Sequence, residues 1–359
     1  MTTMADVARL AGVSATTVSH VLNGTRPVAP ATEQAVRRAV SKTGYRHNLA
    51  ARALATQSTD TVGLAMSVVT NPFFAELVRN IERRLRDAGY TLILADTADD
   101  PSVALNVTNH LLARRVSGLV VSPLEDNRLF TRAVKDLLAQ RFPLVLLDRR
   151  SNLAADQVYS ECVEATYSLT MHLASLGHTR IGYVMGANHV MSTRDRLAGY
   201  RKAVRDAGLA TDPRLILAGE SDEQITTRAV LEHFAGGRRT TTGLVVSNNQ
   251  MTLGVMRALR RLGMRIPRDL AIVSYDDLDW ADLATPPLTA MAQDHAALAA
   301  HATELLLARL RDPDRAPQTV VVPTTFHHRT SCGCHKRPTP SAGVDGARSR
   351  SRLGSRPST

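Results

Sequence analysis

The sequence has few cysteines and no long apolar run. Its three cysteines, Cys162, Cys332 and Cys334, are too few and too unevenly spaced for a disulfide framework. No stretch of about 18 apolar residues occurs, and the first residues lack the basic and apolar regions of an export signal. These absences argue against a disulfide-stabilised secreted protein and a membrane-spanning one, and we expect a cytoplasmic protein with no membrane partner.

The common enzyme motifs are also missing. The sequence contains no G-x-G-x-x-G, G-x-x-x-x-G-K, G-x-S-x-G or H-E-x-x-H pattern, which would indicate nucleotide binding, serine hydrolysis or zinc-dependent proteolysis. We therefore predict a protein that is not an enzyme, with no catalytic residues and no cofactor.

One group of potential metal ligands lies near the C-terminus and comprises His327, His328, Cys332, Cys334 and His335. Its C-x-C spacing departs from that of common structural zinc sites. The group also leads into a stretch rich in Ser, Arg, Pro and Gly, a composition typical of disorder. We accordingly predict no metal site.

The net charge of +11 is concentrated at the two ends of the chain. Residues 1–60 hold seven Lys or Arg against three acids, and residues 326–359 hold seven against one, which leaves +1 for the long middle. A basic N-terminal segment is typical of a module that binds nucleic acid. We assign residues 332–359 to a basic, disordered tail.

Residues 1–47 have the pattern of three short helices. Thr3, with Asp6 three residues later, predicts a capped first helix. Ser14 is placed to cap a second helix over residues 15–23, and a third follows at about 32–43. In a helix-turn-helix unit the second helix enters the major groove, although the same spacing also fits a small structural helical hairpin.

The second helix would turn small polar residues outward. Ala15, Thr16 and His20 can approach base edges, and Thr17 and Ser19 suit phosphate oxygens. Val7 and Leu10 would form the buried face of the first helix.

The segment MADVARLAGVSATTVSHVLNG, followed by GYRHNLAARALATQST, resembles the DNA-binding headpiece and hinge of LacI/GalR-family transcriptional regulators. The resemblance implies that Ala15, Thr16 and His20 read the operator, with Thr17, Ser19 and Asn23 near the DNA backbone. It also implies that residues 48–60 form a hinge helix and linker. Asn48 would begin this helix, and Leu54 would wedge into the minor groove or, alternatively, pack on the body.

From residue 61 the sequence alternates between apolar strand-like runs and amphipathic helices. The runs occur at 62–69, 90–95, 118–121, 143–148, 180–185, 243–247 and 270–275. This alternation predicts an α/β body of parallel sheets. We expect residues 61–331 to form two lobes, one of about 61–160 and 290–322 and the other of about 161–289.

The body resembles the periplasmic-binding-protein-like domain of the same family in NPFFAEL, VSGLVVSP, LVLLDR and VSYDDLDWADLATPPLT. Ligands of such sheets bind at the carboxyl ends of the strands. The resemblance implies an effector site of Phe73, Phe74, Ser122, Asp148, Arg196, Asn248 and Asp276. Trp280 could stack on a sugar or be a packing residue, and the two aspartates could instead cap helices.

The two parts together predict a ligand-responsive, sequence-specific DNA-binding regulator, with repression of a carbohydrate-related catabolic operon as the expected role. We expect a homodimer on palindromic double-stranded operator DNA, because one headpiece reads only a half-site. The expected effector is a small molecule such as a sugar. The body alone would also fit a plain solute-binding protein, but the headpiece and the missing export signal argue against that class.

Overall fold

A computed structural model describes residues 2–23, 26–45, 59–67, 72–124, 127–235, 240–277 and 279–334. The chain divides into two compact units, Met1–Asp60 and Thr61–Thr359. The hinge residues Asn48 and Leu54 lie outside the described residues, as does the tail from His335. Among the helices in the described ranges, none is long and apolar enough to cross a membrane.

The N-terminal unit contains the three predicted helices, α1 (Met4–Ala11), α2 (Ala15–Asn23) and α3 (Pro30–Thr43). The capping box at α1 is present, because Thr3 N donates to Asp6 Oδ2 at 2.9 Å and Asp6 N donates to Thr3 Oγ1 at 3.3 Å. Ser14 caps α2 by accepting from Thr17 N at 3.0 Å. The predicted capping of both helices is confirmed.

The core of this unit differs from the prediction at one position. Val7 is fully buried, but Leu10 is 47% exposed. The buried face of α1 is centred on Met4, Ala8 and Ala11. Leu10 lies about 130° away from the centre of that face at 100° per residue, so it points to solvent.

The second unit contains two six-stranded sheets. The first sheet comprises β1 (Thr61–Met66), β2 (Thr91–Asp96), β3 (Gly118–Val121), β4 (Leu144–Leu147), β5 (Asp156–Ser160) and β11 (Thr319–Val322). The second comprises β6 (Ile181–Met185), β7 (Ile216–Ala218), β8 (Gly243–Val246), β9 (Ala271–Tyr275), β10 (Thr289–Gln293) and β12 (Thr324–His327). The helices are α4 (Pro72–Asp87), α5 (Pro101–Ala113), α6 (Arg128–Ala139), α7 (Val163–Ser175), α8 (Met191–Asp206), α9 (Glu223–Ala235), α10 (Asn249–Arg261) and α11 (His295–Arg311).

The two sheets have the same strand pattern. Their orders are β11-β5-β4-β3-β1-β2 and β12-β10-β9-β8-β6-β7. The described pairings are parallel except for the antiparallel contact of β10 with β12. Separate apolar clusters pack on the two faces of each sheet, as expected for strands that are hydrophobic on both sides. The predicted α/β fold is therefore confirmed.

The chain passes between the two lobes three times. It leaves the first lobe between β5 and α7, returns between β10 and α11, and leaves again between β11 and β12. The expected return at residue 290 was too early, because β10 belongs to the second sheet.

The body also extends beyond its predicted end at residue 331. Cys332 is fully buried in the core of the second lobe, and Cys334 packs against the same cluster. Residues 332–334 thus belong to the body and not to the tail.

Candidate DNA-binding surface and effector cleft

The predicted DNA-reading residues of α2 are partly accessible to solvent. Ala15 and Thr16 are exposed, and Thr17, Ser19 and His20 are half-buried. The Thr17 hydroxyl lies 2.9 Å from that of Ser14. The N-terminus of a helix carries partial positive charge, which favours contact with phosphate. The side chain of Asn23, another predicted contact, lies outside the part of the chain that the structure describes.

The body contains a cleft at the carboxyl ends of the strands of both sheets, with a volume of about 360 Å³. Side chains of both lobes line this cleft, and five of the predicted effector residues are among them. These five are Phe74, Asp148, Arg196, Asn248 and Asp276. The cleft falls at the low end of the size range of small-molecule sites.

Asp148 follows β4, in the left-handed region at φ 76°. Its carboxylate lies 3.6 Å from Arg149 Nε, and 10% of its side chain is exposed. Burial raises the pKa of Asp148 to about 6, although Arg149 and Arg196 oppose that shift. The first lobe thus presents a carboxylate whose charge is costly to bury.

Asp276 occupies the equivalent place after β9, at φ 71°. Its Oδ1 accepts a hydrogen bond from Gln293 Nε2 at 2.6 Å, and its Oδ2 accepts from Asn249 N at 3.3 Å. Both donors hold this carboxylate in one orientation beside the cleft.

Arg196 extends from α8 into the cleft and is 9% exposed. One of its nitrogens, Nη1, donates to the carbonyl oxygen of Ser247 at 2.6 Å, and its Cζ lies 3.8 Å from the ring centroid of Tyr275. These contacts fix the guanidinium plane, while Nε has no hydrogen-bond partner among the described residues. A guanidinium that is fixed in this way presents its donors in one plane, which suits the binding of a polar ligand.

Comparisons with known proteins match both units. The model of bacterial regulatory proteins of the lacI family matches residues 3–48, and the periplasmic binding protein-like domain matches residues 170–332. The HTH-type transcriptional repressor PurR of Haemophilus influenzae is 33% identical over 320 residues, which cover 89% of this chain and 94% of that protein.

The chain belongs to the LacI family.

Solved structures agree with this membership. The lac repressor dimer bound to operator and the anti-inducer ONPF has a TM-score of 0.82 at 27% identity, with 92% of this chain and 99% of that chain covered. A complex of the transcriptional regulator CelR with cellobiose has a TM-score of 0.69 at 28% identity, with 92% and 100% covered. The relatives and neighbours are DNA-binding regulators and not enzymes.

Two predicted effector residues of this LacI-family chain, Ser122 and Trp280, are not among the residues that line the cleft. Ser122 N donates to the carbonyl oxygen of Ala65 at 3.0 Å, so Ser122 continues the sheet, and its side chain is buried. Trp280 lines a neighbouring depression with Glu76 and His295. Both assignments stay predictions, and the depression that Trp280 lines shares Asp276 and Gln293 with the cleft. The side chain of Phe73, also predicted to line the effector site, is not within the described part of the structure.

Arg149 and Gln293 are among the cleft residues that sequence reasoning missed. Arg149 lines the cleft and donates from Nη2 to Asp99 Oδ1 at 2.7 Å, with only 5% of its side chain exposed. Gln293 reaches the cleft from β10, a strand that the sequence analysis did not identify. Arg149 could have been predicted from the sequence, because it directly follows Asp148 after β4. Gln293 could not, because only the pairing of β10 with β9 brings it near Asp276.

An ion pair joins the lobes beside the cleft. Arg150, from the loop after β4, donates to Asp195 on α8 from Nη2 at 2.9 Å and from Nε at 3.2 Å. The two-point geometry is typical of arginine–carboxylate pairs and sets the distance between the two walls of the cleft.

Proposed function

We propose that this LacI-family regulator is a homodimeric repressor that binds a palindromic operator and responds to a sugar held between its lobes. The observation that carries the proposal is the placement of Asp148 and Asp276 on opposite lobes of one cleft, with Arg196 fixed beside them.

The DNA-binding part of the proposal is supported by the exposed first turn of α2. We assign base contacts to Ala15, Thr16 and His20, and backbone contacts to Thr17, Ser19 and Asn23. We also retain Asn48 and Leu54 as hinge residues, with Leu54 as a wedge in the minor groove. Two headpieces related by a twofold axis would read the two halves of a palindrome, which is why we propose a dimer.

The sugar proposal is supported by the chemistry of the cleft. Each carboxylate accepts hydrogen bonds from neighbouring hydroxyl groups, and Arg196 donates to them. Asn248 uses its Oδ1 to cap α10, accepting from Met251 N at 2.8 Å, which leaves its amide nitrogen as a donor for the ligand. Binding of cellobiose by CelR, a structural neighbour, agrees with this ligand class.

The response to the sugar would follow from the position of the cleft between the lobes. A ligand that contacts Asp148 on one side and Arg196 and Asp276 on the other favours one closure of the lobes. Control of the operator follows if the two closures differ in DNA affinity. Repression of a carbohydrate-related catabolic operon is the role that this mechanism would serve.

The test is fluorescence anisotropy of a labelled operator selected from a random DNA library, titrated with pentoses, hexoses, disaccharides and nucleobases. We expect at least one sugar to change operator affinity by about 5- to 150-fold, the usual range of allosteric coupling. A fall in operator affinity identifies the sugar as an inducer, and a rise identifies it as a corepressor. A response to nucleobases alone would show that the proposed ligand class is wrong.

Two variants make the test specific to the cleft. Arg196→Ala should bind the operator like the parent protein without ligand but lose the response to the sugar. Arg201→Ala, an exposed position on the same helix, is the matched control and should keep the response. An Arg196→Ala protein that responds at the parental sugar concentration would exclude Arg196 from the effector site.

A further inference from the structure

Two cysteines and two histidines meet at the side of the second lobe, away from the sugar cleft. They are His172 in the last turn of α7, His328 directly after β12, and Cys332 and Cys334 in the turn that follows. Their potential ligand atoms all lie within 4.8 Å of one another. We call these four residues the Cys2His2 cluster.

The distances within the Cys2His2 cluster are close to those of a tetrahedral metal site. Zinc bonds of about 2.3 Å to sulfur and about 2.0–2.1 Å to nitrogen place neighbouring ligand atoms about 3.3–3.8 Å apart. Here the Cys332 and Cys334 sulfurs are 2.8 Å apart, and His328 Nε2 lies 2.5 Å from Cys334 Sγ. Cys332 Sγ lies 3.8 Å from His328 Nε2, and Cys334 Sγ lies 4.0 Å from His172 Nε2. Some of these separations are shorter and some longer than the tetrahedral range. Small side-chain rotations would therefore bring the four ligand atoms to the distances that zinc requires.

The backbone holds the two cysteines toward α7. Ser331 Oγ donates to the carbonyl oxygen of Ile272 at 2.7 Å and accepts from Thr289 N at 2.8 Å, which anchors the turn to β9 and β10. Gly333 then adopts φ +89°, a conformation that a side chain would strain. This turn lets two cysteines separated by a single residue direct both sulfurs to one point.

The surroundings of the cluster resemble those of a closed structural site. Cys332 is fully buried, and the His172 ring packs edge-on against the rings of Phe326 and His328 at 5.2 Å and 5.1 Å between centroids. His327 is excluded, because its Nδ1 lies 2.5 Å from Asp277 Oδ2. His335 lies outside the described residues.

We propose that the Cys2His2 cluster binds one Zn²⁺ ion that fastens the C-terminal segment of the body to α7. Four protein ligands complete a tetrahedral shell, so the ion is structural. Thiolate and imidazole donors suit zinc, and both cysteine protons pass to solvent on binding. Sequence reasoning did not find this site, because one ligand, His172, comes from a distant part of the chain.

A disulfide between Cys332 and Cys334 is the competing arrangement. A disulfide requires the sulfurs to be about 2.05 Å apart with a dihedral angle near a right angle, and strained bonds are readily reduced. The sulfurs are 2.8 Å apart, and two histidines converge on them. Histidines contribute nothing to a disulfide but complete a metal site.

The first experiment measures metal content and cobalt binding in the full-length protein. We expect about one zinc per chain after growth with zinc, as for a single closed tetrahedral site. Replacement of zinc by Co²⁺ should give the visible absorption of tetrahedral cobalt and a thiolate-to-cobalt charge-transfer band.

Variants assign the ligands. Cys334→Ser and His172→Asn should weaken cobalt binding by at least about 100-fold, since even outer-shell changes cost about 10- to 100-fold. The matched controls His327→Asn and Cys162→Ser should bind cobalt like the parent protein. Equal cobalt affinity in Cys334→Ser and the parent would overturn the proposal.

A measurement on the unmodified protein covers the case in which the variants do not fold. Zinc should protect Cys334 from alkylation, and a chelator should restore its reactivity. Alkylation at the same rate with zinc and with chelator would contradict the site. A purified chain without zinc that is two hydrogens lighter than the reduced mass would show the disulfide instead.

Discussion

The two lobes place an aspartate at equivalent points, after β4 and after β9, but they treat its carboxylate differently. Asp276 accepts hydrogen bonds from Gln293 and Asn249, at 2.6 Å and 3.3 Å. Asp148 has Arg149 Nε at 3.6 Å and a pKa raised to about 6 by burial. The same fold thus provides one carboxylate that is ordered before the ligand arrives and one whose charge the ligand must help to stabilise.

The largest expected effect is on the binding of the sugar. Asp276→Asn and Asp148→Asn should each weaken it by about 10- to 150-fold, since a hydrogen bond to a charged group contributes about 1.5–3 kcal/mol. Asp276→Asn should weaken sugar binding more than Asp148→Asn, because an acceptor that is already ordered loses less conformational entropy when the sugar binds. Isothermal titration calorimetry at pH 7.5 measures both affinities, and a smaller loss of affinity for Asp276→Asn than for Asp148→Asn would contradict the proposed difference between the two carboxylates.

The free energy of unfolding should change in opposite directions in the two variants. The raised pKa of Asp148 means that the folded chain holds the proton more tightly than the unfolded chain, so stability falls as the pH rises from about 4 to about 6. Asp148→Asn removes the buried charge and should stabilise the protein by about 3 kcal/mol at pH 7.5.

Urea unfolding at pH 7.5 and pH 4 measures this gain, which should vanish at pH 4. Asp136→Asn, at an exposed carboxylate on α6, is the control and should change stability little. A gain for Asp148→Asn that persists at pH 4 would point to a cause other than the buried charge.

Asp276→Asn should destabilise the protein by about 1–2 kcal/mol at pH 7.5. An asparagine side chain has a single acceptor oxygen, so Gln293 Nε2 or Asn249 N loses its partner in a buried place. Urea unfolding measures the loss, and Asp148→Asn serves as the comparison. Equal stability of the Asp276→Asn variant and the parent would mean that the two hydrogen bonds do not hold the carboxylate.

The smallest expected effect is the pH dependence of sugar binding. At pH 5, about 90% of a carboxyl group with a pKa of about 6 is protonated, so affinity should fall about tenfold between pH 7.5 and pH 5. Since His189 also lines the cleft, the Asp148→Asn variant is needed as a control. Its affinity should change less over this interval, and an unchanged pH dependence would assign the effect to another group.

The sequence predicted the parts of the fold that repeat. Alternating apolar runs identified β1 to β4 and the central strands of the second sheet, and residues that directly follow these strands, Asp148 and Asp276, were found with them. The late strands were missed, because β10, β11 and β12 are short and partly exposed. Their places depend on pairing with strands far away in the sequence. Gln293 and His172 were missed for the same reason, since only tertiary packing brings them to their sites.

The three passages between the lobes are short: residues 161–162 separate β5 from α7, Asp294 separates β10 from α11, and Pro323 separates β11 from β12. Two of the passages lie next to each other, because Glu161 N donates to the carbonyl oxygen of Val322, the residue before Pro323, at 2.9 Å. Three short connections restrict how far the lobes can move apart or slide past each other. They also protect the molecule against damage, since a protease that cuts one of them leaves the lobes connected by the other two.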